Sequence, residues 1–317
     1  MRTSLDCLTC LVRQALEASR FACDDPALHE RVARDVLRMA AEFDFAQSPP
    51  LLAQRVQRRI RELTGAVDPY AELKLRADRV VLAALPALSA EVGAADDPLA
   101  AAVRLAIAGN TIDAGAYGAA SVDRMARGLA AAKARPFSGD LEGFRRAVAS
   151  AREILYLTDN AGETVLDRSL AERLPAGRIT FAVRGAAVLN DATREDAARA
   201  GLDSLGEVID NGSDAPGTVL SECSDTFRRR FAAADLVIAK GQGNHETLSE
   251  VDRDIFFLFA VKCDVAARHS GRPRGQLAIV RSRAGRTGAA KAHATALRRG
   301  ESYSGRRSDH RRTGTES

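Results

Sequence analysis

The sequence predicts an α/β protein in which a helical N-terminal region packs on a domain built around a mainly parallel sheet. Two changes of pattern along its 317 residues support this prediction. Through residue 150, apolar residues recur every three or four positions, as on the buried face of a helix. From Ile154 onward, short apolar runs alternate with helical stripes, which is typical of a parallel sheet with helices on both faces.

The first 150 residues contain several predicted helices, because apolar residues recur there in separate stripes. Pro49-Pro50 marks the start of the third helix, since proline is tolerated in the first turn of a helix but not inside it. Gly109-Asn110 is a typical helix end and follows the fifth stripe. Residues 1–150 are therefore predicted to form the helical region. The stripes cover residues 8–16, 32–40, 51–60, 73–88 and 99–107.

Residues 151–282 are predicted to form the α/β domain. Four short apolar runs give its strands, and helical stripes near residues 165–174, 194–200 and 225–232 separate them. A further apolar run at residues 255–261 could be strand or helix, because a short buried run has no period that distinguishes the two. The predicted strands cover residues 154–157, 179–183, 207–209 and 236–239.

Charge is divided unevenly between the body of the chain and its C-terminal end. The formal net charge is +4, yet residues 272–317 hold 12 Lys/Arg against 3 Asp/Glu, which leaves 34 against 39 in residues 1–271. A nucleic-acid partner inferred from basic charge would therefore depend on the end of the chain alone. Residues 283–317 lack apolar periodicity and are rich in Arg, Gly, Ala, Ser and Thr, which predicts a basic disordered tail.

The composition predicts a cytoplasmic protein with no membrane contact. Hydrophobic residues make up 46% of the chain and charged residues 28%, which is ordinary for a globular protein. No apolar run approaches the roughly 18–20 residues of a membrane span, and the N-terminus lacks the apolar core of a signal peptide. Five cysteines, an odd number, fit a reducing compartment.

Polar side chains follow the predicted strands at the edge where ligands bind in open parallel sheets. Asp159 and Asn160 follow the first strand, and Asp191 follows the second after an extended segment. Two carboxylates and one amide oxygen form a hard set of ligands suited to Mg²⁺ or Mn²⁺. The alternative for the first pair is a turn in which Asp159 caps the next helix. Other residues after strands are Arg184, Asn190, Asp210, Asn211 and the segment 240–244.

Candidates for binding phosphate or substrate lie near the same edge. A helix beginning at Ala161-Gly162 would present free N–H groups and the positive end of its dipole. Lys240 and Arg184 could contact a phosphate or could be solvated loop residues, and Glu163 could orient a ligand or only stabilise the helix start. The segment 240–244 contains a lone GxG, so it supports neither a dinucleotide site nor a P-loop.

Three further features of the sequence leave alternatives open. The polar segment 109–115 could be a loop closed by an Asx turn, or its Asn110 and Asp113 could reach into the cleft. Cys7 and Cys10 share a helix face but have no second pair at zinc-ligand spacing, so we predict two small core residues. His245 could be an acid or base, although a lone histidine more often has no catalytic role.

Five motifs, in order and spacing, resemble the damage-control phosphatase family, also called acidic-residue-methyltransferase-like, and specifically its CxxC-bearing prokaryotic subfamily I. The likeness covers residues 1–282 and does not extend to the tail. The motifs are LDCLTC at 5–10 with RQAL at 13–16, GNTID at 109–113, TDNAGE at 158–163, RGAAVLNDAT at 184–193 and KGQGN at 240–244.

This resemblance implies a helical region on a Rossmann-like α/β/α domain, and a divalent-metal-dependent phosphatase acting on small phosphorylated metabolites. On the family pattern, the catalytic metal ligands would be Asp159, Asn160 and Asp191, holding Mg²⁺, Mn²⁺, Co²⁺ or Ni²⁺. The residues implied around the phosphate, substrate or cleft are Lys240, Arg184, Asn190, Glu163, Asn110, Asp113 and Asn244.

Phosphoryl transfer depends on charge neutralisation and positioning more than on covalent help. A metal would polarise the phosphoryl oxygen and lower the pKa of a bound water, while Lys240 and the helix N-terminus would hold the remaining oxygens. Because Asp159 and Asp191 would be occupied as ligands, we expect direct attack by water rather than an aspartyl-phosphate intermediate.

Two other functions stay open. A SAM-dependent carboxyl methyltransferase would need a Gly-rich loop after the first strand and an acidic residue after the second, but the first loop has one glycine. A nucleic-acid-binding protein acting through the basic tail would bind nonspecifically and in a salt-dependent way. That partner is disfavoured because Tyr303 is the one aromatic residue of the tail that could stack on bases.

Overall fold

A single sheet organises the computed structural model, which describes residues 1–110 and 129–282. Its strands are β1 (Phe137–Ser138), β2 (Ile154–Leu157), β3 (Ile179–Val183), β4 (Glu207–Asp210), β5 (Leu236–Lys240), β6 (Ile255–Ala260) and β7 (Leu277–Arg281). Their spatial order is β1-β7-β6-β5-β2-β3-β4. Neighbouring strands run parallel except β6 and β7, which are antiparallel. The predicted α/β class with a mainly parallel sheet is confirmed.

The helices of the described residues include all those predicted from the apolar stripes. They are α1 (Asp6–Ala22), α2 (Pro26–Glu42), α3 (Pro49–Thr64), α4 (Ala71–Gly93), α5 (Pro98–Gly109), α6 (Leu141–Ser150), α7 (Glu163–Ala171), α8 (Arg194–Ala200), α9 (Asp225–Ala233), α10 (Gly241–Leu248) and α11 (Asp264–Ser270). Pro49 begins α3, and Gly65 ends it in the left-handed region at φ 72°. Among these helices, none is long and apolar enough to cross a membrane.

Three elements differ from the sequence expectation or resolve it. The ambiguous run at residues 255–261 is strand β6, whose six residues are all buried because helices cover both faces of the sheet. Strand β1 lies inside the predicted helical region. The sequence analysis missed it because a strand of two residues is too short to show an alternating pattern of apolar side chains. The segment 240–244 ends β5 and begins α10, so it is not the loop expected from its glycines.

Three apolar cores divide the structure into layers. Helices α1–α3 surround their own core, which includes Val32, Val36 and Ile60. The side chains of α4–α8 pack on one face of the sheet, and those of α9–α11 pack on the other. The apolar face of α5 thus belongs to the core of the sheet, while the boundary predicted at residue 150 stays a prediction. The predicted tail, 283–317, lies outside the described residues.

The path of the chain reverses the strand order at the centre of the sheet. From β2 the chain continues to β3 and β4 on one side, then returns to β5 on the other side of β2. The loops that follow β2 and β5 therefore leave the sheet in opposite directions. Such a reversal of strand order, at the carboxyl ends of parallel strands, is where open α/β sheets bind their ligands.

Candidate active site

The loops at this reversal of strand order carry the predicted metal ligands. Asp159 and Asn160 follow β2, and Asp191 reaches them through an antiparallel bridge between Asn160 and Asp191. The Ala192 N–H also donates to the Asp159 carbonyl at 2.8 Å. The loop after β3 is thus fastened by backbone bonds to the loop after β2.

Each of the three predicted ligands keeps one side-chain oxygen without a hydrogen-bond donor from the described residues. Asp159 accepts at Oδ2 only, from the amides of Asn110 (2.6 Å) and Asn160 (2.8 Å). Asp191 accepts at Oδ2 from Arg184 Nε at 2.7 Å. The amide nitrogen of Asn160 is committed as a donor, which leaves its Oδ1 as a ligand. Three hard oxygens are therefore available on two loops that a backbone bridge joins.

The two buried carboxylates share one partner, Arg184, which pairs with both of them. Burial raises the pKa of Asp159 well above its usual value, and the nearby charges of Glu163 and Asp191 raise it further. Burial also raises the pKa of Asp191, although Arg184 acts in the opposite direction. A divalent cation would supply the missing charge, so the electrostatics and the donor chemistry both fit such an ion.

The third protein ligand would have to be an amide. Across residues 1–110 and 129–282, no group of three His, Cys, Asp or Glu side chains is placed to hold a metal ion. A cation here would thus use two carboxylates, the Asn160 oxygen and several waters or phosphate oxygens. That open ligand set is the one Mg²⁺ and similar ions adopt at phosphate-transfer sites.

Lys240 lies beneath the site and is fully buried. Its ammonium donates to Glu163 Oε1 at 2.7 Å, Asp167 Oδ1 at 2.5 Å and the Ala106 carbonyl at 3.0 Å. Although burial lowers it, the two carboxylates hold the pKa of Lys240 above its ordinary value. All three ammonium protons are used by protein acceptors, and the expected contact between Lys240 and phosphate stays a prediction.

Glu163 also faces the protein rather than the substrate. Its Oε2 accepts from Asn110 Nδ2 at 3.1 Å and from Asn160 Nδ2 at 2.9 Å, while Oε1 accepts from Lys240. Both oxygens are taken by protein donors and the side chain is buried, and the expected contact between Glu163 and phosphate stays a prediction. It holds the two amides that in turn hold Asp159.

Asp167 is a site residue that the sequence analysis missed. It accepts from Lys240 and from the Tyr156 hydroxyl, the latter at 2.9 Å. Burial raises the pKa of Asp167 to about 6, against the lowering effect of Lys240. The available signal was its spacing, since Asp167 comes four residues after Glu163 and so shares its face of α7.

Arg184 is the cation closest to the candidate ligands. Its Nη1 lies 3.4 Å from Thr218 Oγ1 and 3.5 Å from Asn244 Oδ1, and its Nη2 lies 3.9 Å from Asp159 Oδ1. The buried Nη2 has no hydrogen-bond partner among the described residues. A buried donor of this kind, beside the candidate metal ligands, is suited to a phosphoryl oxygen.

Asn244 contributes to the frame of the site. Its amide donates to the carbonyls of Thr158 (3.1 Å) and Lys240 (2.8 Å), and its Oδ1 accepts from Thr218 at 2.8 Å. These bonds tie the ends of β2 and β5 to α10. Asn190 is half-buried and its carbonyl accepts from Ala161 N, whereas Asp113 lies outside the described residues.

The start of α7 is not the free phosphate cradle expected from the sequence. Gly162, and not Asp159, precedes the first residue of the helix, and its N–H donates to Asp78 Oδ1 at 2.7 Å. The neighbouring Ala161 N–H donates to the Asn190 carbonyl. These two donors are satisfied inside the protein, and Asp78, from α4, went unnoticed because 84 residues separate it from Gly162.

Gly241 makes room for Asp159. It adopts φ +80°, and a β carbon added to it would lie 2.1 Å from Asp159 Cγ. Both the backbone conformation and the space therefore require glycine at the first residue of α10.

Two features singled out from the sequence lie apart from the candidate ligands. Cys10 is exposed and Cys7 half-buried, so the expectation that both are core residues is wrong. His245 is buried and stacks on Phe259, and burial lowers its pKa to about 3. It is therefore neutral at ordinary pH and packs as an aromatic ring.

Comparisons with known proteins agree with the resemblance seen in the motifs. A damage-control phosphatase of Archaeoglobus fulgidus is 34% identical over 277 residues, which cover 86% of this chain and 96% of that protein. A damage-control phosphatase of Pyrococcus horikoshii is 33% identical over 288 residues, 89% and 99% of the two chains.

A solved structure extends the likeness to the fold. The crystal structure of a DUF89 family protein from Pyrococcus horikoshii has a TM-score of 0.79 at 30% identity, covering 89% of this chain and all of that one. The model of the damage-control phosphatase ARMT1-like domain matches residues 3–278. These matches confirm the predicted phosphatase function, while the CxxC subfamily stays a prediction. The chain belongs to the damage-control phosphatase ARMT1-like family.

Proposed function

We propose that this chain hydrolyses small phosphorylated metabolites with a divalent cation held by Asp159, Asn160 and Asp191. One observation carries the proposal: Asp159, Asn160 and Asp191 lie on two loops joined by a backbone bridge, and each keeps a side-chain oxygen without a donor from the described residues. The reversal of strand order is also where a ligand is expected.

A bound Mg²⁺, Mn²⁺, Co²⁺ or Ni²⁺ would polarise a phosphoryl oxygen and lower the pKa of a water molecule. Arg184 donates from its free Nη2 to another phosphoryl oxygen, while its Nε–H bond to Asp191 fixes the direction of the guanidinium. The guanidinium thereby offsets charge that develops on the phosphoryl group.

Buried residues beneath the site orient the side chains proposed to bind the metal. Glu163 accepts from the amides of Asn110 and Asn160, which turns both nitrogens toward Asp159 and leaves Asn160 Oδ1 facing away from them. Lys240 neutralises part of the charge of Glu163. We propose that Lys240 and Glu163 are positioning residues, in place of the phosphate contacts expected from the family pattern.

The proposal includes direct attack by water on phosphorus. Asp159 is committed to two amides at one oxygen and, in the proposal, to the cation at the other, and Asp191 is committed in the same way to Arg184 and the cation. Neither carboxylate is then free to act as a nucleophile. Recovery of an aspartyl-phosphate from the working enzyme would contradict this step.

Substitution of the ligands tests the proposal. We expect Asp159→Ala and Asp191→Ala to abolish metal-dependent hydrolysis of an aryl phosphate, while circular dichroism shows a folded protein. Asp225→Ala removes an exposed carboxylate on α9 and is the matched control. Full activity in Asp191→Ala would defeat the assignment of the metal ligands.

We further propose that the protein acts in the cytoplasm and that the basic tail is dispensable for hydrolysis. The cysteines of the described residues are free thiols, as expected of a reducing compartment. A chain ending at Arg281 should keep its phosphatase activity. Loss of nucleic-acid retention together with activity in that shorter chain would instead favour a role for the tail.

A further inference from the structure

The turn that precedes Asp191 contains a leucine in an unfavourable backbone conformation. Leu189 has φ +49°, and among the described residues no other non-glycine residue has positive φ. The turn is closed by a hydrogen bond from Asp191 N to the Val188 carbonyl at 3.1 Å. Leu189 is the first of its two central residues, a place where positive φ ordinarily calls for glycine or asparagine.

The side chain of Leu189 accounts for its retention in this conformation. It packs against the core of α1–α3, although the turn itself belongs to the loop after β3. Surroundings that over-determine a residue can hold it at an unfavourable φ, and such residues cluster at functional sites. Glycine would relieve the backbone but would remove the apolar contact with the helices.

A second contact joins the same loop to the same helices. Arg61, in α3, donates from Nη1 to the Ala187 carbonyl at 2.9 Å and pairs through Nη2 with Asp214 at 2.5 Å. Helices α1–α3 therefore contact the loop after β3 at Ala187 and Leu189. The next two residues of that loop contact the loop after β2. Those two residues are Asn190, through its carbonyl, and Asp191, through the bridge to Asn160.

We infer that Leu189 is a positioning residue that sets the place of the Asp191 carboxylate by anchoring its turn in the core of α1–α3. The inference rests on the proposed function, because it assigns Leu189 a role in cation binding. Residues that orient a metal ligand without touching the metal commonly change metal affinity about 10–100-fold when substituted. The helical N-terminal region thereby takes part in the site without supplying a ligand.

Binding of Mn²⁺ by the full chain, measured by calorimetry without substrate, tests the inference. We expect Leu189→Ala and Leu189→Gly each to weaken Mn²⁺ binding about tenfold, and Leu189→Met to restore most of it. Leu28→Ala is the matched control, since Leu28 is a partly buried leucine of α2 on the same core. It should lower the melting temperature but leave Mn²⁺ binding unchanged.

The outcomes separate the anchor from the site itself. Unchanged Mn²⁺ binding in both Leu189→Ala and Leu189→Gly would overturn the inference, as would an equal loss in Leu28→Ala, which would indicate general destabilisation. If Asp191→Ala loses Mn²⁺ binding but the Leu189 variants do not, the proposed function stands and the role inferred for Leu189 is wrong. If Asp191→Ala binds Mn²⁺ as tightly as the unmodified protein, the proposed function fails.

Discussion

Two carboxylates at the same edge of the sheet have opposite surroundings. Asp214, beyond β4, accepts from the guanidinium groups of Arg58 and Arg61 and from the amide of Gln54. Despite partial burial, these donors lower the pKa of Asp214 to about 2. Asp159, after β2, accepts from two neutral amides, and its pKa lies well above the ordinary value.

The difference indicates that Asp214 stabilises the fold, whereas Asp159 is suited to binding a ligand. Asp214 has its charge matched by the protein, and the pairing ties α3 to the loop after β4. The charge of Asp159 is only partly compensated, because the Arg184 guanidinium lies 3.9 Å from its Oδ1 and also pairs with Asp191. Carboxylates held in this condition are characteristic of sites where charge is supplied from outside.

Removing the charge of Lys240, which lies below the site, should have the largest effect on stability. Lys240→Met leaves Glu163 and Asp167 buried without their positive partner, so we expect the free energy of unfolding to fall by about 3–5 kcal/mol. Denaturant titration measures the loss. Lys133→Met, which breaks a more exposed pair with Glu91, should cost about 1 kcal/mol or less. Equal losses of unfolding free energy in Lys240→Met and Lys133→Met would contradict the expectation that the buried ion pair matters more than the exposed one.

Neutralising the matched carboxylate should have an intermediate effect that depends on pH. We expect Asp214→Asn to lower the free energy of unfolding by about 1–2 kcal/mol at pH 7, because hydrogen bonds to a charged group are lost. The folded pKa, about 2, lies below the ordinary 3.8, so this stabilisation is complete above about pH 4 and is lost as the pH falls through 2. A deficit as large at pH 2 as at pH 7 would contradict the assignment.

Neutralising Asp159 should have the smallest effect on the free energy of unfolding. It should raise that free energy, whereas neutralising Asp214 lowers it. With metal removed by EDTA, we expect Asp159→Asn to raise the free energy of unfolding by about 1 kcal/mol at pH 7. Assayed with metal present, the same substitution should abolish hydrolysis. Because the folded pKa lies above the ordinary 3.8, the unmodified protein loses stability as the pH rises from that value through the folded pKa. Urea titrations at pH 5 and pH 7.5 measure the slope. A loss of stability in Asp159→Asn would show that the carboxylate is matched after all.

The sequence predicts the frame of this molecule better than the direction of its side chains. Strands β2 and β5 are visible because burial on both faces makes them continuous apolar runs, and parallel strands must bring Asp159 and Asp191 to one edge. No local pattern reports that Lys240, the last residue of β5, turns under the sheet edge toward α7. Its burial depends on contacts with residues 77 and 73 positions away, which only the folded chain brings near.

Gly241 has a consequence for the genetics of this protein. Every amino-acid change at its codon adds a β carbon, and that atom would lie within 2.1 Å of the Asp159 carboxyl carbon. Alanine, the smallest replacement, meets the same obstacle as arginine. We therefore expect all missense alleles at codon 241 to behave as null alleles in a screen for phosphatase function, whichever residue they encode.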